Sequence, residues 1–345
     1  MNFIKFLECH KPIIDKELDQ YLLKKINQEQ DNFLKYCYKM IQSFSRNGKR
    51  LRPISMILSY NANGKKDKKI MPIALAIELF HVYTLIHDDI MDEDEYRREN
   101  KTIIKEIKDY FNEHFDEKQN EGMLFSDKSS KYSTSISILL GNITKSLAYD
   151  LIEFSEFNDD LKLKVIKKFN DIDTLLNKGQ ILDINSELMD IDENYYIEVI
   201  RLKTAELFGL AYEIGSMLVK TNDNNIENLR QFGINSAMAF QIQDDLIDIN
   251  ETQKKFGSDI KNNKKTLLYI YAKNKDKSID KYYGIKNLNA IKKVIKIFHE
   301  TGSIKYNLKK AEFYSNKSKN LIQSYGIYYK EILLSFCDYV KNRLN

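Results

Sequence analysis

Ala76-Ile77-Glu78-Leu79-Phe80-His81-Val82-Tyr83-Thr84-Leu85-Ile86-His87-Asp88-Asp89-Ile90-Met91-Asp92 is the stretch whose reading decides the fold. Its first part is apolar nearly all the way round a helix, which demands a central buried position, and the spacing predicts one long helix over 71–96. Its end carries carboxylates in the pattern DDxxD. On a helix, positions i and i+4 lie one turn apart on one face and i+1 sits about 100° round, so Asp88, Asp89 and Asp92 form a small acidic ledge. Carboxylates that finish a buried helix are costly unless something cationic meets them.

The pattern recurs at Asp244-Asp245-Leu246-Ile247-Asp248, again after an apolar stretch, Ala237-Met238-Ala239-Phe240-Gln241-Ile242. With 27 Asp in 345 residues, one copy arises by chance in roughly one chain in six, and two in about one in a hundred. Acidic clusters are most often solvated surface. Two of them, each closing an apolar helix, point instead to hard cations. Asp oxygens suit Mg²⁺, which keeps part of its water shell and completes its coordination with substrate phosphates. The metal candidates are Asp88, Asp89, Asp92, Asp244, Asp245 and Asp248, and a phosphorylated substrate is implied.

Only 3 Pro and 12 Gly occur, among long runs of Leu, Ile, Lys, Glu and Asn, so long uninterrupted helices are expected. A formal net charge of +4 is small beside 54 basic and 50 acidic residues, and charge does not point to nucleic acid. Cys9, Cys37 and Cys337 are an odd, scattered set without CxxC, which favours a reducing compartment and no structural zinc. No apolar run is expected to reach the ~18 residues of a membrane span, and the start of the chain lacks a signal-peptide profile. A soluble cytoplasmic protein without stable membrane insertion is the expectation, with an organelle open if a targeting segment is missing.

Outward from the central helix, residues 13–44 read as two amphipathic helices broken at 27–31, Ser45-Arg46-Asn47-Gly48 as a loop, and Pro53 as suited to a first helical turn. The polar stretch at about 104–134 lacks sustained periodicity and is predicted to be a surface insertion, partly disordered. Helices are predicted at 135–155, 160–188, 193–219 and 226–250, with several more over 266–342. Between them, 222–225 and 261–264 are loop signals. Without a clean linker, one domain over 1–345 is the economical reading.

Cations suited to diphosphate recur along the chain. Gly48-Lys49-Arg50-Leu51-Arg52-Pro53 puts three basic residues at the start of a helix, where backbone N–H groups and the dipole favour anions. Arg97-Arg98 follow the first acidic motif, Lys203 opens Lys203-Thr204-Ala205, and Lys264-Lys265 follow the second motif. With Gly179-Gln180-Ile181-Leu182-Asp183 and Gly257-Ser258-Asp259-Ile260, these elements fall in a recognisable order. The chain resembles the trans-isoprenyl diphosphate (polyprenyl) synthases from about Gly48 to Thr266, and is most like the archaeal-type short-chain geranylgeranyl and farnesyl diphosphate synthases.

The resemblance implies an all-α isoprenoid synthase bundle of about ten core helices. It further implies that these surround a deep central cavity, with the acidic motifs facing each other across its mouth, usually in a homodimer. It implies that Asp88, Asp92 and Asp244 are direct ligands of about three Mg²⁺ per active site, with Asp89, Asp245 and Asp248 assisting. Arg97, Lys203 and Lys264 would hold an allylic diphosphate. Lys49, Arg52, His81 and Arg98 would hold the diphosphate of isopentenyl diphosphate. Gln180 and Asp183 would line the cavity, Thr204 and Gln241 would lie near the reacting carbons, and His87 is expected to be structural.

In such enzymes product length is set beneath the first ledge, here by Thr84, Tyr83 and Phe80, which lie four, five and eight residues before Asp88 on one helix face. A bulky residue at Tyr83 implies a stopper, so geranylgeranyl diphosphate is the expected main product and farnesyl diphosphate the second. A longer-chain synthase and a non-catalytic subunit are the alternatives. A terpene cyclase fits less well, because the second motif is DDLID and GKRLRP is present. Glu99, Lys101, Asn142 and Asn263 depart from the family's usual residues without removing a named ligand.

Overall fold

The computed structural model describes residues 1–97, 100–250, 256–323 and 325–341. It is all-α apart from one two-residue ribbon and a single isolated bridge among the described residues. The chain divides into two compact units, one of residues 8–57 and 67–166 and another of residues 1–7, 58–66 and 167–345.

The first unit is built on α1 (Phe3–Gln28, from residue 8), α2 (Asn32–Ser45), α4 (Met71–Met91), α5 (Ile103–His114) and α6 (Lys128–Glu153), with the start of α3 (Leu51–Ala62). Asp31, Thr102 and Asp127 cap α2, α5 and α6 by accepting the backbone N–H three residues on, which satisfies one of the donors a helix start leaves open. α4 lies at the centre, packed against α2, α5 and α6. Residues 73–80 of α4 are buried without interruption, which only a helix covered on every side can be. The expectation of no span-length apolar run is corrected here: an 18-residue stretch within Lys68–Met91 reaches a mean hydropathy of 1.6, but 67% of that stretch is buried in the protein. A core helix covered all round needs the same composition as a membrane span.

Two boundaries differ from the sequence reading. The central helix ends at Met91, not 96. The acidic run Asp92-Glu93-Asp94-Glu95 stops it, Glu93 turns into the left-handed region (φ 53°), and the chain returns as β1 (Tyr96–Arg97) paired antiparallel with β2 (Asn100–Lys101). The expected irregular insertion at 104–134 instead contains α5 and the start of α6. Ile103, Ile107 and Phe111 bury one stripe of α5, a four-residue repeat hidden in the sequence by the charged residues between them. The connecting loop is closed by backbone bonds from Asn120 to Ser126 and from Lys128 to Lys118.

The second unit holds most of α7 (Asp159–Ser186), then α8 (Glu193–Ile200), a five-residue π-turn (Arg201–Ala205), α9 (Glu206–Met217) and α10 (Asp223–Asp248). α11 (Ser258–Lys261), α12 (Leu267–Lys275), α13 (Leu288–Glu300), α14 (Ser303–Leu321) and α15 (Ile327–Lys341) complete it. α10 packs against α9, α14 and α15. Gly233 lets α10 approach α9 closely: a Cβ there would stand 2.7 Å from the Phe208 carbonyl oxygen. The helix predicted over 193–219 is therefore continuous in path but broken in register by the π-turn, which no periodicity signalled.

Candidate active site

In the first unit, the GKRLRP segment divides its labour. Lys49 is exposed and Arg52 half-buried, whereas Arg50 is buried at 3% exposure with φ 55°. Arg50 donates through Nε to Asp15 of α1 at 2.6 Å and through NH1 to Glu78 of α4 at 2.6 Å. Of the three basic residues expected to face an anion, one is thus consumed in tying the loop to two helices. Gly48 must be glycine because the guanidinium folds over it: an added Cβ would lie 2.4 Å from Arg50 NH1. Lys49 and Arg52 remain the candidates for binding substrate.

Further along α4, His81 is half-buried, and Thr84 Oγ1 donates to the His81 carbonyl at 2.7 Å. Phe80 and Tyr83 are buried and meet edge-on at 4.8 Å, with the Lys145 ammonium 5.4 Å above the Tyr83 ring. His87 contacts the Ile138 carbonyl at 3.2 Å, and it fits because residue 141 is glycine: a Cβ there would be 2.2 Å from His87 Nε2. That contact is structural.

The first ledge closes α4 at its C-terminus, and Asp92 is the C-cap. β1 brings Arg97 back onto it, Nε to Asp89 Oδ1 at 2.6 Å and NH2 to Asp88 Oδ2 at 3.2 Å. Asp89 is 1% exposed, and burial pushes its carboxyl up to about 7 against the opposing pull of Arg97. Its Oδ2 is buried with no protein hydrogen-bond partner among the described residues. Arg98 lies outside the described residues.

In the second unit, Lys203 and Thr204 both sit on the π-turn. Lys203 Nζ reaches Asp183 of α7 at 2.6 Å, and Thr204 Oγ1 donates to Gln241 Oε1 of α10 at 3.2 Å. Gln241 Nε2 in turn donates to Asp245 Oδ1 at 3.1 Å, and Asp245 Oδ2 accepts the Tyr196 hydroxyl at 2.6 Å. Burial holds the Asp245 carboxyl well above the usual carboxylate range. Asp248 is equally occupied: Oδ1 accepts Ser258 N at 3.0 Å and Ser258 Oγ at 2.5 Å, and Oδ2 accepts Asp259 N at 3.1 Å. Burial also raises the Asp248 carboxyl. Asp245 and Asp248 are therefore both engaged by protein groups, and Asp244 is half-buried like Gln180 and Asp183 of α7.

Lys264 is half-buried, follows Asn263 in the left-handed region (φ 55°), and its carbonyl accepts the Tyr283 hydroxyl at 2.5 Å. Asn is among the few side chains that tolerate that backbone, so it serves where glycine is usual. Sequence reasoning assigned no role to Tyr196 or Asp259. Burial first, and then Asp248, push the Asp259 carboxyl up to about 7, with Lys264 opposing. The only sequence signal for it was its place in the Gly257-Ser258-Asp259-Ile260 element.

The donor chemistry fits a divalent cation. Among the described residues no three His, Cys, Asp or Glu side chains form a ready-made cage. However, both acidic motifs close helices at their C-terminal ends, where the helix dipole disfavours carboxylates and favours cations. Hard oxygen donors one turn apart suit an ion that draws its remaining ligands from phosphate and water.

The sequence profile of the polyprenyl synthetase family matches residues 34–301. A geranylgeranyl pyrophosphate synthase of Geoglobus acetivorans is 30% identical over 281 residues, 80% of each chain. A short chain isoprenyl diphosphate synthase of Methanocaldococcus jannaschii is 29% identical over 301 residues, 81% of this chain and 82% of that one. The solved geranylgeranyl pyrophosphate synthetase from Pyrococcus horikoshii superposes with a TM-score of 0.83 at 25% identity, covering 99% of this chain and 98% of that one. With both acidic motifs, GKRLRP and the lysine-bearing turn inside the matched span, the chain belongs to the polyprenyl synthetase family.

Proposed function

We propose that this protein is a short-chain trans-prenyltransferase that condenses isopentenyl diphosphate with dimethylallyl, geranyl and farnesyl diphosphates. Geranylgeranyl diphosphate is its main product and farnesyl diphosphate the second. The observation that carries the reading is the placement of two intact acidic motifs at helix C-termini, each on a helix whose preceding turns are apolar. Relatives at 28–32% identity named for geranylgeranyl, geranylfarnesyl and farnesyl diphosphate synthesis support it.

Enzymes of this family generally need a divalent metal. Mg²⁺ held by Asp88, Asp92 and Asp244, about three ions per site, would stabilise the departing diphosphate as a Lewis acid. Arg97, Lys203 and Lys264 add positive charge for the allylic diphosphate, while Lys49, Arg52 and His81 serve the isopentenyl diphosphate, with Arg98 assigned alongside them. Preorganised charge aimed at the departing group does more than any other single effect to ease its ionisation. Thr204 and Gln241 offer hydroxyl and amide dipoles that stabilise a carbocation without capturing it. Tyr83, buried behind the first ledge, limits chain growth with Phe80 and Thr84.

Purified protein incubated with Mg²⁺, isopentenyl diphosphate and each allylic primer in turn should form C15 and C20 products. No condensation with any primer would end this reading. Asp88→Ala and Asp244→Ala should each cost at least about 10²-fold in turnover with circular dichroism unchanged. A homodimer is proposed as the assembly, supported by exposed Ile138, Leu139 and Leu163 on the first unit, and light scattering showing a monomer would exclude it.

A further inference from the structure

The π-turn at Arg201–Ala205 carries an ion pair that the reaction scheme does not use. The Glu206 backbone N–H bonds to the Arg201 carbonyl, and the side chains of the same two residues pair through Arg201 NH1 and Glu206 Oε1. Five residues apart on an α-helix, they would stand about 140° apart at 100° per residue. Widening the turn to an i→i+5 bond brings them to one side. The pair can therefore form in the π register and is lost in the α register.

The pair is anchored in depth. Glu206 is 1% exposed, and its Oε2 accepts Arg230 NH2 of α10 at 2.6 Å. Arg201 is held from the other side by two bonds to Glu198 at 2.9 and 2.6 Å. Arg230 also meets Glu213 at 3.5 Å, and Glu213 pairs with Lys168 of α7 at 2.5 Å. Gly179 of α7 lets the turn sit against that helix, since a Cβ there would be 2.5 Å from the Lys203 backbone nitrogen. The helices tied together, α7, α9 and α10, include the two whose side chains receive Lys203 and Thr204.

We propose that Glu206 is a positioning residue: with Arg201 and Arg230 it holds the π register that aims Lys203 at Asp183 and Thr204 at Gln241. The inference rests on the prenyl-transfer reading for its kinetic readout alone. One extra residue in the turn rotates everything after it, so losing the pair lets the segment relax toward an α-helix and swings both side chains off target. Misplacement by about 1 Å costs on the order of 10²-fold in rate.

Two variants test this, Glu206→Gln and the apolar double Arg201→Met with Glu206→Leu. Replacing an ion pair by apolar residues of similar size is often neutral for stability, and Arg230 keeps Glu213 and Glu227 beside it, so the double variant should melt near wild type. Both should lose about 100-fold in kcat/KM for the allylic diphosphate. Both should also show altered hydrogen exchange at the residue 206 amide, whose acceptor passes from the Arg201 carbonyl to that of Leu202 in an α register, and leave the KM for isopentenyl diphosphate within about twofold. A double variant that regains wild-type kcat/KM, or unchanged exchange at residue 206 in both, would overturn the proposal. The exchange readout needs no turnover. A wild-type protein that condenses nothing would refute the function while the clamp is still decided.

Discussion

Glu78→Gln should uncouple the GKRLRP segment from the central helix. In the native protein Glu78, 4% exposed, neutralises Arg50, itself 3% exposed, across a 2.6 Å bond. Removing one partner of a buried pair leaves an uncompensated charge and costs about 3–5 kcal/mol. Asp15 still pairs with Arg50 at 2.6 Å but is about one-third exposed, so the lower end, about 3 kcal/mol, is expected. Unfolding entropy near 2.1 cal/mol/K per residue makes that a fall of about 4 °C in Tm if the whole chain melts together. Arg50 holds a left-handed backbone at φ 55°, a conformation that persists only when its surroundings impose it. Once it relaxes, Lys49 and Arg52 shift with it. Calorimetry and steady-state kinetics should therefore show a lowered Tm together with a KM for isopentenyl diphosphate raised about tenfold or more, the equivalent of about 1.4 kcal/mol. A variant with native Tm and native KM would refute the reasoning, because Arg50 would then need no buried carboxylate to hold the loop.

Tyr83→Ala should open the space behind the first ledge and lengthen the products, read as a shift beyond C20 on thin-layer chromatography; an unchanged profile removes Tyr83 from chain-length control. Burial pushes the Cys37 thiol up to about 11 and that of Cys337 to about 12, whereas Cys9 is exposed, so Ellman's reagent at pH 8 should titrate one thiol in the native protein and three after unfolding. Burial holds Asp89 and Asp259 near 7, above their usual 3.8. Below pH 4 both are protonated folded or unfolded. Between about 4 and 7 the folded state keeps protons the unfolded chain releases, so stability falls as pH rises through that window. Urea titrations in EDTA at pH 5 and pH 7.5 should show the higher midpoint at pH 5, and the reverse order would contradict the burial of these groups.

Helix type and the acidic ledges were legible because each rests on local spacing. The all-round apolar stretch over 73–80 is what full burial demands, and no partner need be known to infer it. α5 was missed because its buried stripe, Ile103, Ile107 and Phe111, is outnumbered by charged neighbours. The end of the central helix was misplaced because an acidic run of four residues leaves helical spacing intact while like charges at a C-terminus oppose it.

The site shows the same division more sharply. Residue types and order were enough to nominate the carboxylates, the lysines and the arginines, since a diphosphate and a hard cation accept only a narrow chemistry. Which of these side chains are engaged by the protein itself was decided by tertiary structure. Nothing local marks Arg50 or Asp248 for the scaffold. Arg50 is spent on Asp15 and Glu78, 35 and 28 residues away, and Asp248 on the start of α11. The π-turn is likewise invisible in the periodicity, because Glu206 and Arg230 meet only after α9 and α10 have packed. The sequence alone determined the family and the all-α class, because both rest on local spacing and motif order. The engagement of Arg50 and Asp248 by the scaffold waited on long-range contacts, for a buried charge must find its partner wherever the fold places one.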